Sequence, residues 1–294
     1  MQTLLIVDGH AYAYRAFHAI RSLSSPQGSP TNAIYGFVKM LEKIRQAILP
    51  EYVTVIWDGG MDAGRLAMLP EYKSHRPEMP GDLRLQLDEI VKYLQAAGLA
   101  SECRDGVEAD DLIASLAVSG VAAGLRVLIA SSDKDFMQLV SAQVGLINPG
   151  DKTGEIWTAK HVQNKADVEP HQVVDWLALT GDAVDNIAGV PGVGAKTAAK
   201  LLKEFGTISA LYERLGEVSS DKLRESLSQS AEIVRRNVRM VQLKSDLPVN
   251  TMLSEALVKL PDGRRLRELY QQWGFKGLLA SLPEPLRENQ TILL

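Results

Sequence analysis

The sequence predicts an α/β fold, in which a mainly parallel central sheet is flanked by helices, followed by a smaller all-helical domain. Short apolar runs alternate with helical stretches in the first half of the chain, and strand signals cease after about residue 158. The length of 294 residues is more than one hydrophobic core usually holds. We therefore predict an α/β domain over residues 1–168 and a helical domain over residues 169–294.

Four short runs predict the strands of this sheet. They are TLLIVD at 3–8, YVTVIWD at 52–58, RVLIASSD at 126–133 and VGLIN at 144–148. The first three are nearly continuous in apolar residues, as strands buried on both faces are. Helical periodicity lies between them, at 31–48, 83–97 and 109–123. Strands joined by helices of this length run parallel.

The segment MDAGRLAMLPEYKSHRPEMPGD, at residues 61–82, breaks this alternation. It is rich in proline, glycine and charged residues and has little periodicity. We expect it to leave the sheet as a long, mobile excursion.

Composition bounds the class of protein. The only cysteine, Cys103, excludes an internal disulfide and a cysteine-based zinc site. Apolar runs too short to span a bilayer, and an N-terminus without a leader-like pattern, predict a cytoplasmic protein with no membrane partner. The net charge of −4 argues against a nucleic-acid partner, unless many acids are gathered at one metal-filled site.

Aspartates follow three of the predicted strands. Asp8 ends the first, Asp58 ends the second, and Asp133 and Asp135 follow the third. Because the carboxyl ends of parallel strands meet at one edge, these acids should converge there. Asp133 and Asp135 would point the same way on an extended backbone, since they are two residues apart.

Five further acids lie in two short groups. They are Glu108, Asp110 and Asp111 at a predicted helix start, and Asp182 and Asp185 beside a glycine-rich stretch. Taken singly, helix capping or a turn explains each of them. Nine converging carboxylates would repel one another unless cations neutralised them, and hard divalent ions such as Mg²⁺ prefer oxygen ligands. Two such ions about 4 Å apart can activate a water for phosphodiester cleavage.

The glycine-rich stretch GVPGVGAKT resembles a phosphate loop but fails two familiar patterns. The mononucleotide pattern needs Gly-Lys-Ser/Thr, whereas Ala195 separates Gly194 from Lys196. The dinucleotide pattern needs a final glycine where Thr197 stands, and no strand leads into the stretch. The phosphate it contacts is therefore unlike that of a bound mononucleotide.

Six motifs resemble, in the same order, those of the 5′-nuclease family. They are VDGHAYAYRAFHAI, the WD at 57–58, LPEYKSHRP, VEADDLIASLA, SSDKDFMQLV and GDAVDNIAGVPGVGAKTAAKLL. Over about residues 3–282 the chain most closely resembles the N-terminal 5′–3′ exonuclease domain of bacterial DNA polymerase I, and the flap endonucleases are wider relatives. The resemblance implies a PIN-like core with a helical arch, and a helix-hairpin-helix motif in the helical domain.

Carried over position by position, the resemblance implies a site built from acids, cations and glycines. The implied metal ligands are Asp8, Asp58, Glu108, Asp110, Asp111, Asp133, Asp135, Asp182 and Asp185. The implied catalytic residues are Lys73, Arg76, Asp8, Asp58, Asp110 and Asp133. The implied DNA contacts are Arg15, Tyr72, Lys73, Arg76, Gly189, Gly192, Gly194, Lys196, Thr197 and Lys200.

The chemistry of these residue types agrees with the implied roles. Lys73 and Arg76, at i and i+3 on a helix, would face one phosphate, with a solvated charged surface as the alternative. Tyr72 either stacks on a base or packs within its loop. Lys196 and Lys200, at i and i+4, would reach successive phosphates of duplex DNA.

The implied function is that of a structure-specific DNA 5′ nuclease, acting as a 5′–3′ exonuclease and flap endonuclease in replication, through Okazaki fragment processing, and in repair. Its cofactors would be two or more Mg²⁺ ions, with Mn²⁺ as a substitute, and K⁺ held by the glycine-rich turn. Its partners would be DNA with 5′ ends, nicks or flaps, and a covalently linked or separate DNA polymerase. We expect a bacterial-type, nucleoid-associated monomer.

Three alternatives stay open from the residues alone. A nucleoside triphosphatase would explain the glycines and the lysine, and a metal-dependent RNase would use the same acids. A non-catalytic helix-hairpin-helix DNA-binding protein would need only the helical domain.

Overall fold

A six-stranded sheet forms the centre of the computed structural model, which describes residues 1–151 and 154–284. The strands are β1 (Thr3–Asp8), β2 (Tyr52–Trp57), β3 (Ala100–Cys103), β4 (Arg126–Ala130), β5 (Val144–Ile147) and β6 (Ile156–Trp157). Their order is β3-β2-β1-β4-β5-β6; β1 to β5 run parallel, and β6 is antiparallel to β5. The predicted, mainly parallel sheet is confirmed.

The two strands at the edges, β3 and β6, are absent from the sequence prediction. They have four and two residues, and their side chains are half-buried or exposed. Neither therefore shows the continuous apolar run that marks a strand covered on both faces.

Helices cover both faces of this sheet. The first five are α1 (Gly9–Ala19), α2 (Asn32–Ile48), α3 (Ala63–Met68), α4 (Gly81–Ala96) and α5 (Ala109–Ala122). The helix α1 was not among the predicted helices. It follows β1 without a loop, because Asp8 caps its first turn. A Cβ on Gly9 would lie 2.6 Å from the Trp57 ring, so a glycine lets this turn pass over the tryptophan.

The rest of the described chain is mainly helical. Its helices are α6 (Ala159–Ala166), α7 (Val173–Thr180), α8 (Ala195–Phe205), α9 (Ile208–Glu213), α10 (Asp221–Gln229), α11 (Ala231–Val241), α12 (Asn250–Glu255), α13 (Gly263–Trp273) and α14 (Lys276–Ser281). One antiparallel ribbon, β7 (Gly181–Asp182) with β8 (Ile187–Ala188), interrupts the predicted helical run. Residues 285–294 of the predicted helical domain lie outside the described residues. Within the described ranges no helix is both long and apolar enough to cross a bilayer.

The two faces of the sheet are covered by different parts of the chain. On one face α5 packs on the sheet, and the same apolar core continues into α7, α8 and α11. The other face packs against α1, α2 and α4, and α13 returns to it, where Tyr270 stacks on Tyr93 with ring centroids 6.4 Å apart. The last helices therefore pack on the α/β part, and the predicted division at residue 168 stays a prediction.

Candidate active site

Three acids lie at the carboxyl edge of the sheet. Asp8 ends β1, Asp58 directly follows β2, and Asp133 follows β4 by three residues. Asp8 is 8% exposed, and its carboxylate accepts hydrogen bonds from the Ala11 backbone N–H at 3.0 Å and from Ser131 Oγ at 2.8 Å. The three acids are close enough for the charges of Asp133 and Asp58 to act on Asp8.

The pair Asp133 and Asp135 differs from its predicted arrangement. β4 ends at Ala130, and Asp133 caps a 3₁₀-helix at Lys134–Leu139, accepting the Asp135 backbone N–H at 2.9 Å. The prediction of an extended backbone here is wrong, because the chain turns soon after the strand ends. Asp135 Oδ1 is buried and accepts no hydrogen bond from the part of the chain that the structure describes. A buried carboxylate oxygen in this state is costly unless a cation completes it.

The loop between β7 and β8 helps to close the acidic edge into a cleft of about 320 Å³. The cleft is lined by Asp8, Ala11, Arg76, Ser132, Asp133, Lys134, Asp182, Val184 and Asp185. Lys134 Nζ lies 2.7 Å from Asp182 Oδ2, and Arg76 Nη2 lies 2.5 Å from Asp185 Oδ1. The structure thus brings four of the predicted acids together and balances two of them with cations.

Burial and mutual repulsion oppose the ionisation of these acids. Burial, with smaller contributions from Asp133 and Asp58, raises the pKa of Asp8 to about 6. Burial, followed by the charge of Asp133, also holds the pKa of Asp110 and of Asp135 well above its ordinary value. Divalent cations would offset this repulsion, because a nearby positive charge favours the ionised carboxylate.

This raised pKa predicts how stability changes with pH in the presence of EDTA. The pKa of Asp8 rises from 3.8 to about 6 on folding, so its contribution to stability is fully present below pH 3.8 and is lost as the pH rises through 6. Relative to Asp8→Asn, which cannot titrate, the wild type should lose about 2 kcal/mol of unfolding free energy between about pH 4 and pH 7. Urea titrations of both proteins measure the difference, and parallel pH profiles would contradict the prediction.

Glu108 and Asp111 lie in buried ion pairs. Asp111 is 1% exposed, and Arg65 donates to both of its oxygens, at 2.7 and 2.9 Å, while the Lys244 backbone N–H donates at 2.9 Å. Glu108 accepts a hydrogen bond from Lys73 Nζ at 2.7 Å. Burial acts against its charge, but Lys73 and Arg65 hold the pKa of Glu108 below its ordinary value. The predicted metal role of Asp111 would require its pair with Arg65 to break.

We predicted a long, mobile excursion at 61–82, but part of this segment packs against the site: Arg65, Tyr72 and Lys73 are buried, and its other residues are half-buried or exposed. Its helix, α3, carries Arg65, which is 3% exposed, and the turn that follows carries Tyr72, which is 4% exposed. The Tyr72 hydroxyl donates to Glu108 Oε2 at 3.1 Å. In this structure Tyr72 packs inside the protein, and its predicted contact with a base stays a prediction.

Lys73 and Arg76 do not share a helix face as predicted. Both follow α3 in a turn, where the Arg76 backbone N–H donates to the Lys73 carbonyl at 3.1 Å and Lys73 has φ +56°. The Lys73 side chain is buried against Glu108, whereas the Arg76 side chain is 40% exposed and lines the cleft. Of the two cations, Arg76 is the one placed to meet a ligand in the cleft directly.

The donor set fits hard divalent cations, because every acidic ligand candidate offers oxygen. Across residues 1–151 and 154–284, no three acid, histidine or cysteine side chains already stand around one ion position. Lys134 and Arg76 instead hold Asp182 and Asp185 in salt bridges. The buried, unpaired Asp135 Oδ1 is the observation that favours a cation at this place.

The three predicted glycines of the helical part meet different structural requirements. A Cβ on Gly189 would lie 2.3 Å from the Thr180 carbonyl, so this glycine permits a close approach of two backbone segments. Gly192 has φ +82°, which favours glycine. Gly194 caps α8, and the described residues place no other atom within 4 Å of the Cβ it lacks. Gly194 therefore leaves the N-terminus of α8 open.

The remaining predicted contacts lie on the surface near these features. Lys196 and Lys200 are exposed one turn apart on α8, and Thr197 between them is half-buried. Arg15 is exposed on α1, one turn beyond Ala11, which lines the cleft.

Three polar residues of the site escape the sequence analysis. Ser131 and Lys134, which contact Asp8 and Asp182, stand within the SSDKDF motif, so their position beside two aspartates was the available signal. Asn237 is fully buried, and its Nδ2 donates to backbone carbonyls of α7 and β8 at 3.0 and 2.8 Å. A lone asparagine on the apolar face of α11 was its one signal.

A parallel sheet with an acidic cleft at its carboxyl edge is the arrangement that a metal-dependent nuclease requires. Two family models then match consecutive parts of the chain: "5′-3′ exonuclease, N-terminal resolvase-like domain" over residues 3–167 and "5′-3′ exonuclease, C-terminal SAM fold" over residues 168–264. The chain belongs to the 5′–3′ exonuclease family.

Individual relatives agree with this placement. The chain is 36% identical to a 5′-3′ exonuclease of Aquifex aeolicus, with 98% of each chain covered. It is 34% identical to DNA polymerase I of Bacillus caldotenax over 98% of its own length, which spans 33% of that polymerase. Among solved structures, the T5 D15 protein co-crystallised with metal ions is 25% identical, with a TM-score of 0.66 over 83% of this chain and 90% of that one.

Proposed function

We propose that this chain hydrolyses phosphodiester bonds near the 5′ ends of DNA at nicks and flaps, leaving 5′-phosphate and 3′-hydroxyl products. The observation that carries the proposal is the cleft in which Asp8, Asp133, Asp182 and Asp185 face the same space as Arg76. A guanidinium binds phosphate oxygens, and clustered carboxylates hold the cations that a phosphate diester needs beside it. Okazaki fragment processing and repair are the settings that such a substrate implies.

The acids that line the cleft, together with Asp58, Asp110 and Asp135, would hold two or more Mg²⁺ ions, with Mn²⁺ as a substitute. When bound, such ions supply an activated water and neutralise charge on the leaving oxygen. Hydrogen bonds donated by Ser131 Oγ and the Ala11 N–H orient the Asp8 carboxylate as a ligand. Burial and mutual repulsion raise the pKa values of Asp8, Asp110 and Asp135, and this supports the assignment.

Arg76 and Lys73 act on the substrate phosphate in this proposal. Arg76 already lines the cleft and would exchange Asp185 for a phosphate oxygen. Lys73 would also contact the phosphate once its ammonium leaves Glu108. The negative phosphate and the positive metal ions would weaken the ion pair between Lys73 and Glu108, because nearby charges change its electrostatic energy. No side-chain nucleophile is needed.

The helical part would hold the duplex. The open N-terminus of α8 offers backbone N–H groups to a phosphate, and Lys196 and Lys200 extend the same surface by one turn. A K⁺ ion held by carbonyls of the glycine-rich turn would add to this grip, and Arg15 would contact a phosphate from α1.

Product analysis on a 5′-labelled flap substrate with Mg²⁺ tests the proposed function. We expect short labelled products that end in a 3′-hydroxyl, from flaps and from nicked duplexes, and none in EDTA. Cleavage of a matched RNA flap alone would favour the RNase alternative. Binding of the flap without cleavage would favour the non-catalytic DNA-binding alternative.

The lysines of α8 should carry part of the DNA affinity. We expect Lys196→Ala and Lys200→Ala each to lower the slope of log affinity against log salt by about one, because each removes one phosphate contact. Fluorescence anisotropy on a nicked duplex in Ca²⁺ or EDTA measures the slope. Lys222→Ala, at an exposed lysine on α10, is the control. An unchanged slope in both α8 variants would remove α8 from the DNA interface.

A further inference from the structure

One asparagine ties the turn that carries Lys73 to the acidic loop. Asn186 Nδ2 donates to the Glu71 carbonyl at 2.8 Å and to Ser74 Oγ at 3.3 Å. These two acceptors stand on either side of Lys73 in the chain. The side chain of Asn186 therefore brackets the turn from the loop that follows Asp185.

The residue before Asn186 makes two more bonds to the same turn. The Asp185 carbonyl accepts the Lys73 backbone N–H at 3.1 Å, and Asp185 Oδ1 accepts Arg76 Nη2 at 2.5 Å. Contacts from two adjacent residues thus hold the backbone of one cation and the guanidinium of the other. These hydrogen bonds join the turn to the acidic loop.

The backbone on both sides of this contact is in a conformation that side chains rarely adopt. Lys73 has φ +56° and Asn186 has φ +57°. Asparagine visits this left-handed region readily, but lysine does not, so Lys73 stays there only if its surroundings hold it. From outside the turn, the Asp185 carbonyl contacts the Lys73 backbone and the Asn186 side chain contacts Glu71 and Ser74.

We propose that Asn186 is a positioning residue: its side-chain amide holds the turn at 71–76 so that the Lys73 and Arg76 cations stand at fixed places beside the acids. Asn186 itself is not among the residues that line the cleft. The inference rests on the proposed function, in which Lys73 and Arg76 act on the substrate phosphate.

Asn186→Gly separates this role from that of an ordinary turn residue, because glycine keeps the left-handed backbone and loses only the amide. We expect single-turnover cleavage of a flap to slow by about 10- to 100-fold, since a small misplacement of catalytic groups has effects of this size. DNA affinity in EDTA and the thermal midpoint should stay near those of the wild type. Wild-type cleavage by Asn186→Gly would overturn the proposal.

Two further variants guard against a merely structural effect. Leu49→Gly changes an exposed left-handed residue that caps α2, far along the chain from the site, and should leave cleavage unchanged. Asn186→Asp keeps the shape but cannot donate to the Glu71 carbonyl, so it should resemble Asn186→Gly. If Asn186→Asp cleaves like the wild type, the donated hydrogen bond is not what matters and the proposal fails.

A mutant cycle that removes both cations separates failure of this inference from failure of the proposed function. If Asn186 acts through Lys73 and Arg76, Asn186→Gly should slow a protein that carries Lys73→Ala and Arg76→Ala by less than about threefold, because coupled residues are non-additive. Full additivity would overturn the inference alone. Full activity of Lys73→Ala by itself would instead overturn the proposed role of Lys73.

Discussion

Replacing Asp133 or Asp135 with asparagine is expected to reduce Mg²⁺-dependent cleavage of a flap by about 1000-fold or more, because loss of a preorganised charge at a reacting phosphate has effects of this size. Asp133 lines the cleft and caps the 3₁₀-helix that follows β4, and Asp135 has a buried, unpaired oxygen. Asparagine is close in shape but offers neither site the negative charge that a cation needs. DNA affinity in EDTA should remain nearly intact, since it comes from phosphate contacts elsewhere.

Single-turnover cleavage and fluorescence anisotropy measure these two quantities on the same flap. Asp167→Asn is the matched control, because Asp167 caps α6 on the surface and pairs with Lys203 at 2.5 Å. It should cleave like the wild type. Normal turnover by Asp133→Asn and Asp135→Asn would refute their assignment as metal ligands.

Replacing Arg65 with alanine is expected to lower the free energy of unfolding by about 3–5 kcal/mol, because it leaves the buried Asp111 carboxylate without its cation and removes one of the two cations beside Glu108. Arg65 donates to both oxygens of Asp111, lies 3.3 Å from Glu108, and donates to the Met240 and Gln242 carbonyls. It therefore joins α3, the start of α5 and the end of α11. Burial acts against its charge, but Asp111 still raises the pKa of Arg65, so the guanidinium is charged at every accessible pH.

Urea titration in EDTA measures the change. Arg214→Ala, which removes an exposed pair with Glu217, is the control and should leave stability nearly unchanged. The double variant Arg65→Ala with Asp111→Ala should lose less than the sum of the single losses, since neither charge is then left alone. A loss below 1 kcal/mol in Arg65→Ala would show that this pair does not hold α3 in place.

Much of the central sheet could be read from local pattern. β1, β2 and β4 are nearly continuous apolar runs, because strands buried on both faces favour apolar side chains. β3 and β6 could not be read, since edge strands obey no such rule. The start of α1 was hidden because a helix that begins directly after a strand leaves no loop signal between them.

The acids show the same division between local and distant information. Their types, order and position at strand ends predicted an acidic edge, and Asp8, Asp133, Asp182 and Asp185 do share the cleft. The conformation at Asp133 was mispredicted because the end of a buried strand depends on what packs beyond it. No local sequence feature distinguishes the acids that are exposed to the cleft from the buried acids that pair with lysine or arginine side chains.

Neighbouring residues predict the parallel sheet, the acidic character of its carboxyl edge and the glycine turn before α8, because each depends on a local pattern. Two pairings became visible only in the folded chain: Asp111 with Arg65, 46 residues away, and Asn186 with the Lys73 turn, more than 100 residues away. A charge or an amide takes the partner that folding brings within hydrogen-bond distance, and sequence spacing does not encode that distance.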